Sequence, residues 1–538
     1  MPRPLAIAAV LWAVLSSCPP VQADLAQLVR DSGVQGGLVV RIGCDDARAV
    51  ASLRLDERFV VHALDVDAAK VAAAREAVRQ AGLYGPVSAD RFDGRKLPFV
   101  DNLVNLIVCE AACSVPKDEL LRALAPGGVA LVGPWGPSRG GQKLVKPWPA
   151  DIDQWTHYLH DPGNNAVARD RAAQPRSIQW VAEPRWGRSH EELASMSAAV
   201  TANGRLFTIM DRAPLASIRF LGQWELTGRD AFSGVLLWTR KIPLWSDHLR
   251  HFRAGPLHLP RRLVAVGDRV YVTLGLAASV SQLDAATGKT LREYAGTEQA
   301  EEILVEAGVV YVAVSASEAN RRGGGLYVRS EPPLPSDRFI AAYQADTGKR
   351  IWVKHLGPKE HLLPQTLAAA GGAVYYQDTT GLVKLDAATG KQRWRTPRQT
   401  PQRRMSFSAP TLVVREGVVL LADRNAGDKP GQAPAAGAVE WGVHGWGEGG
   451  FDRKPPCTLR AYDAGTGKEL WSAPCSEGYN SPVDVFVVGS TVWVGSDFAG
   501  YDLKTGQPKG KLNWKGAAVG MAHHRCYRDK ATEQYILT

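Results

Sequence analysis

From about Pro175 onward the chain alternates apolar and polar positions in short runs, each broken by a Gly-containing reversal. LVAVGDRVYVTLG, ILVEAGVVYVAVS, LAAAGGAVYYQDT, TLVVREGVVLLAD and FVVGSTVWVGS all read as strand, turn, strand. They are rich in the β-branched and aromatic residues that fit a pleated, half-buried surface. Between them one phrase keeps returning: LDAATGKTLRE, YQADTGKRIWV, LDAATGKQRWR, YDAGTGKELWS and YDLKTGQPKG, with a looser copy, RDAFSGVLLWT, ahead of them. In most copies an Asp is placed to cap the turn, and the Gly supplies the positive φ that a tight reversal needs. Four residues after the Gly stands Trp238, Trp352, Trp394 or Trp471, on a strand face that can pack against a neighbouring sheet. The turn glycines Gly234, Gly288, Gly348, Gly390, Gly467 and Gly506 are separated by 54, 60, 42, 77 and 39 residues. That spacing fits one four-stranded blade per turn and predicts a β-propeller of seven or eight blades over 175–538. Arg292 and Gly510 take the Trp place in two copies, so those junctions are expected to be weaker. The chain stops at EQYILT, which reads as an unfinished strand. A ring must abolish its edges, so either the sequence is a piece of a longer protein or an N-terminal strand completes the last blade, the former being favoured.

The period changes ahead of this region. Over residues 24–135, GLVVRIG, RFVVHALDVD, NLVNLIVCE and VALVGP read as buried strands. RAVASLRL, KVAAAREAVRQAG (stopped at Gly82) and ELLRALAPGG read as the helices between them. Alternating strand and helix predicts an α/β, doubly wound parallel sheet with ligand crevices at its strand ends. The first 23 residues carry one Arg, an apolar run from Leu5 to Leu15 and then small residues, the pattern of a secretory signal. Cleavage after Val21-Gln22-Ala23 would leave Asp24 first, and Leu15-Ser16-Ser17-Cys18 is an alternative lipobox whose Cys18 would carry a lipid anchor. No later run is long and apolar enough to predict a membrane span. Residues 136–174 read as linker and lead-in, Gly133 to Lys146 being rich in Gly, Pro and Ser.

Composition changes this picture little. With 53 Gly and 34 Pro the chain suits turn-rich β structure. The formal net charge of +10 is scattered in pairs such as Arg261-Arg262 and Arg403-Arg404, with no basic stripe of the kind a nucleic-acid groove presents. Cys457 and Cys475 lie nine residues on either side of Thr466 and can face each other as a disulfide in a regular hairpin. Cys109 and Cys113 read as reduced packing residues.

The D-x-x-T-G-K-x-x-W phrase resembles the tryptophan-docking repeat of the quinoprotein propellers, the pyrroloquinoline-quinone dehydrogenases and their non-catalytic relatives. The resemblance implies that Trp238, Trp352, Trp394 and Trp471 glue blades together, whether or not a cofactor binds. For an enzyme of that family it implies a quinone stacked in the axial channel, a calcium or lanthanide held by oxygen ligands and an Asp base. Neither the adjacent Cys-Cys pair nor the C-x-x-C-H haem tether found in many such enzymes occurs here. The N-terminal segment resembles class I S-adenosylmethionine-dependent methyltransferases through IGCDDA, ALDVD, DGRKLPF and LRALAPGG. This implies Gly43 in the loop approaching the cofactor, Asp65 on the ribose hydroxyls and Asp93 facing the adenine amine. The family loop G-C-G-x-G is here Gly43-Cys44-Asp45-Asp46-Ala47, with carboxylates where glycines admit the ligand, so a vestigial scaffold is expected.

One further cluster carries candidate chemistry. DIDQWTHYLHDPGNNAVARD sets His157 and His160 three apart beside Asp153 and Asp161. On a helical turn the two imidazoles would share a face and, with a carboxylate, could hold a metal; a packed turn is the commoner use of such a pair. His248 with His251 and His523 with His524 are weaker candidates, and the Gly/Trp-rich insertion from Asn425 to Pro456 is a long loop of the kind that is either functional or disordered. Together these readings predict an exported, extracytoplasmic bacterial protein that binds a protein or small-molecule ligand on its propeller face. The alternatives are a quinone-dependent alcohol or sugar dehydrogenase and an active methyltransferase.

Overall fold

The structure is a computed structural model. It describes residues 25–537 apart from 47, 110–113, 135–140, 172–176, 185–186, 188–195, 218–219, 247–258, 316–336, 364, 402–408, 425–455, 477–481, 496–497 and 513–527. The signal segment with Cys18, Cys113, the pairs His248/His251 and His523/His524, and nearly all of the long insertion therefore lie outside the described residues. The chain divides into two compact units, Met1–Pro147 and Trp148–Thr538. The boundary cuts through the stretch read as linker and lead-in.

The first unit runs α1 (Leu25–Ser32), β1 (Gly37–Ile42), α2 (Ala49–Ser52), β2 (Phe59–Asp65), α3 (Ala68–Gln80), β3 (Val87–Arg91), β4 (Val104–Cys109), α4 (Lys117–Ala123), β5 (Leu124–Val132) and β6 (Gln142–Val145). Its sheet has the order β3-β2-β1-β4-β5-β6, with β6 antiparallel and every other pairing parallel. Apolar side chains cover both faces. Val39, Val61, Leu106 and Val108 pack with Val29, Val71 and Val78 on one side, and Val40, Leu64 and Ile107 with Leu120 on the other. That two-sided burial is why the strands read as continuous apolar runs. Asp67 caps α3 by accepting the Ala69 N–H at 2.8 Å, and Gly82 (φ 68°) ends it, with the Leu83 N–H reaching the Val78 carbonyl at 3.1 Å. Two details differ from the sequence pattern. Pro-Gly-Gly is inside β5, not a helix stop, and Gly127 (φ 75°) sits where the β4–β5 register slips. β6 adds an edge strand within the supposed linker.

Among the described residues the second unit contains six four-stranded antiparallel sheets and a seventh of three strands. The innermost strands of the first six are Met196–Ala202, Leu263–Val266, Ala300–Glu306, Ala368–Ala370, Thr411–Arg415 and Val485–Val488. In the seventh, Lys530–Thr532 pairs antiparallel with Ile536–Leu537 and parallel with Val167–Ala168, an N-terminal strand. An N-terminal strand thus joins the last sheet, the second of the two arrangements the sequence left open, and that sheet has three strands among the described residues.

Each repeated phrase is a five-residue turn. The Asp284 carboxylate accepts the Thr287 N–H at 2.9 Å and its hydroxyl at 2.7 Å, while the Gly288 N–H reaches the Asp284 carbonyl at 2.8 Å. Asp386, Asp463 and Asp502 repeat the arrangement. The docking indoles lie on the turn of the next blade. Trp238, Trp352, Trp394 and Trp471 cover Gly288, Gly390, Gly467 and Gly506, where a Cβ would fall 2.5–2.8 Å from ring atoms. Each Nε1 donates to the carbonyl after the turn Asp, on Ala285, Ala387, Ala464 and Leu503, at 2.9–3.2 Å. Only glycine leaves room for that contact.

Two junctions depart from the expected scheme. At Arg292 the missing indole is replaced. Tyr294 donates its hydroxyl to the Ala345 carbonyl at 2.8 Å, and the Gln282 amide donates to the same oxygen at 3.1 Å. The first turn is docked by a residue that the pattern did not reveal. Trp180, between the lead-in and the first blade strand, stands over Gly234 and donates to the Ala231 carbonyl at 3.0 Å.

Candidate functional site

The lead-in forms a belt around the axis. Passing from blade one to blade six, an N–H two residues before each inner turn is met by one belt group after another. Thr201 donates to the Trp155 carbonyl (2.7 Å), Ala265 to Thr156 (3.0 Å), Ala369 to Pro162 (2.8 Å) and Val414 to Gly163 (2.8 Å). Val305 donates to Nε2 of His157 at 3.1 Å, and Val487 to the Asn165 side-chain oxygen at 2.9 Å. The Asn165 amide returns a bond to the Val487 carbonyl at 3.0 Å. The belt then continues as Val167–Ala168, the seventh inner strand. Gly163 is required here, because a Cβ would lie 2.8 Å from the Val414 carbonyl.

This use of the belt decides the histidines. His157 and His160 form a bridged tight turn, with His160 at φ 71°, not a helical face. Because Nε2 of His157 accepts, its Nδ1–H donates to the Thr156 hydroxyl at 2.8 Å. Burial pushes its pKa down to about 3, so both nitrogens are committed in a neutral ring. His160 is the opposite case. Burial disfavours its charge, but Asp153 at 2.8 Å and Asp161 at 3.5 Å outweigh that and raise its pKa to about 9. His160 is therefore an imidazolium holding two carboxylates, and the geometry of the three sequence candidates, His157, His160 and Asp161, is that of a pinned turn.

On the far side of the belt, buried ion pairs line the starts of the inner strands. Arg261 pairs with Glu302 at 3.2 Å. Glu302 also accepts the Leu367 N–H at 3.3 Å and the Gln365 N–H. Arg528 pairs with Asp484 at 3.2 Å, and burial raises the Asp484 pKa. A metal-bound quinone needs carboxylate and amide oxygens open to the axis. Here the axial carboxylates are held by guanidinium and backbone N–H groups, so these residues do not fit that group. Among the described residues, no cluster of three His, Cys, Asp or Glu side chains is placed to hold a metal.

In the first unit, Asp65 accepts the Cys44 N–H at 2.7 Å and the Asp67 N–H at 2.9 Å, one on each carboxylate oxygen. Asp45 is ion-paired with Lys70 and lies 3.7 Å from the place a Gly43 Cβ would take. The exposed Asp93 caps its own turn, accepting the Lys96 and Arg95 N–H groups at 2.7 Å each. The three residues assigned by resemblance thus stand at the expected strand ends, but they and the loop between them serve the backbone. Cys457 and Cys475 are directly opposed across blade five's outer strand pair.

The docking turns and inward-facing strands define the class of the second unit, a seven-bladed β-propeller. Comparison with known proteins narrows this. The family model described as outer membrane protein assembly factor BamB matches residues 224–441. The outer membrane protein assembly factor BamB of Burkholderia pseudomallei is 26% identical over 279 residues, 45% of this chain and 63% of that protein. A 1-butanol dehydrogenase (quinone) of Thauera butanivorans is 26% identical over 191 residues, 34% of this chain and 24% of that enzyme. The chain therefore spans less than two-thirds of the length of these relatives. For the first unit, an S-adenosylmethionine-dependent methyltransferase from Aquifex aeolicus matches with TM-score 0.20 and 24% identity, over 22% of this chain and 68% of that one. The propeller is thus similar to the BamB model over residues 224–441, and it follows a Rossmann-like, mostly parallel sheet.

Proposed function

We propose that this is an exported cell-envelope protein whose propeller binds a protein partner and whose first unit is a vestigial methyltransferase scaffold. The observation that carries this reading is the commitment of the axial carboxylates Glu302 and Asp484 to Arg261 and Arg528, beneath a belt that spans the other end of the axis. Among the described residues, no helix is long and apolar enough to cross a membrane. Export rests on the apolar leader, with Ala23 or Cys18 as its processing point. The face away from the belt carries the connections between second and third strands. On blade one it exposes Leu215, Phe220, Leu221 and Leu244, an apolar group suited to a protein contact.

The test is reconstitution of the purified full chain with pyrroloquinoline quinone and calcium, assayed on alcohols and sugars with an artificial electron acceptor. No quinone-dependent turnover is expected. Robust turnover, abolished by Glu302→Gln, would overturn the reading in favour of a dehydrogenase. Calorimetry with S-adenosylmethionine checks the first unit, and micromolar binding would contradict its vestigial assignment. A partner crosslinked in the native envelope should be lost with Phe220→Ser/Leu221→Ser.

A further inference from the structure

Blade five ends in a strand pair that carries two cysteines at one level. Its third strand, Pro456–Asp463, and its outermost strand, Glu469–Ser476, run antiparallel, and their register sets Cys457 directly opposite Cys475. Opposed residues of such a pair hold their Cα atoms about 4.5–5.5 Å apart, inside the range of about 4.4–6.8 Å that a disulfide spans. Their Cβ atoms start about 4.5–5.5 Å apart and must come to about 3.5–4.5 Å. An outermost strand can supply that closure, because it is bonded to the sheet on one side only and the cysteines lie at the open end of the hairpin. Cys44 and Cys109, the other described cysteines, are not opposed in this way: Cys109 stands opposite Ile42.

The surroundings make the pair part of a blade junction. Alternation puts Cys457 on one face with Leu459 and Ala461, and Cys475 on that face with Trp471 and Ala473. They pack there in one apolar cluster with Val485 and Val492 of blade six. Cys457 is buried and Cys475 half-buried. The outermost strand is also the one that docks the next blade, since Trp471 donates to the Leu503 carbonyl at 3.0 Å and covers Gly506. A cross-link four residues along the same face fixes the strand that presents this indole.

We propose that Cys457 and Cys475 are the site of a cross-strand disulfide that staples blade five's outermost strand beside its docking indole. The more exposed Cys475 reacts first. Its thiolate attacks the disulfide of an oxidised thiol carrier, which forms a mixed disulfide and releases one carrier thiol. The Cys457 thiolate then attacks Sγ of Cys475, the Sγ–Sγ bond forms and the second carrier thiol leaves. Two protons and two electrons pass from the cysteines to the carrier, whose disulfide is reduced to two thiols. Formation of the staple in the cell rests on the proposed export, because cytosolic thiols are kept reduced. The register of the two strands does not depend on it.

The experiment treats the purified full chain with glutathione disulfide or with dithiothreitol, alkylates the remaining thiols and maps an unreduced digest by mass spectrometry. The oxidised chain should yield peptides joined through Cys457 and Cys475, lighter by two hydrogens than the reduced pair, and dithiothreitol should remove them. Amide exchange over Glu469–Ser476 should slow about tenfold on oxidation, with no change over Arg350–His355, the outermost strand of blade three, which has no cysteine. Cys475→Ala should abolish both the cross-link and the difference in exchange. Both cysteines alkylated after glutathione disulfide, Cys475 left as a mixed disulfide with glutathione, or either cysteine joined to another such as Cys526, would overturn the proposal. So would equal exchange in the oxidised and reduced chains. Chain taken from the native envelope and alkylated at once tests export separately: a staple that glutathione disulfide forms but that is missing there counts against export and not against the site.

Discussion

The rim and the axis of this propeller hold the same seven sheets together in opposite ways. At the rim one device is repeated: an Asp-capped turn, its Gly, and an indole from the preceding blade that covers the Gly and donates to a carbonyl. Where the indole is missing, at Arg292, Tyr294 and Gln282 reach the same carbonyl by another route. At the axis a single belt meets every sheet, with a backbone carbonyl, an imidazole nitrogen or a side-chain amide as each position allows. The rim's contacts are copies of one device, whereas each belt contact is made by a different group. The two meet at the seam, where the chain ahead of the first blade strand supplies both the seventh inner strand and Trp180.

The comparison can be broken most severely at the rim, where the buried area is largest. Trp352→Ala removes an indole that is 8% exposed and should cost about 3–5 kcal/mol, read as a lower midpoint in denaturant. Trp394→Ala should cost less, because that ring is only half-buried. Next comes the belt's charge. The pKa of His160 rises on folding, so its contribution is complete below the unfolded value near 6.5 and is lost as pH climbs through about 9. The facing groups are Asp153 and Asp161, with Arg169 on Asp153. Tm should therefore fall between pH 6.5 and 9, by an amount equivalent to roughly 3 kcal/mol. That slope should be absent in His160→Gln. Asn165→Ala strips both backbone partners from Val487 and should cost about 1–3 kcal/mol in the same denaturation assay. The smallest effect is expected for Tyr294→Phe, about 1 kcal/mol, because Gln282 still serves the Ala345 carbonyl. If Tyr294→Phe cost as much as Trp352→Ala, the rim would not be redundant.

The propeller was legible because its restraint is periodic. An Asp, a Gly and a Trp at fixed offsets recur, and each recurrence confirms the others. The first unit was legible through its apolar runs, although β3 and β6 were missed, being short edge strands with few apolar residues. Trp180 escaped because it lacks a turn Gly four residues before it, although the absence of any partner for Gly234 was a usable signal.

The chain alone determined the blade type, the turn chemistry and the doubly wound first unit, since these depend on residues within one hairpin or one helix of each other. Only the tertiary structure decided that the lead-in is a belt, that His157 is neutral while His160 is charged, and that Arg261 is buried against Glu302. Each of those depends on what a side chain meets across a ring of blades. Val305 lies 148 residues from His157 and Val487 lies 322 from Asn165, and no local pattern records partners so far apart. Burial then sets the charge, because removing water makes the nearest carboxylate or N–H the only determinant left.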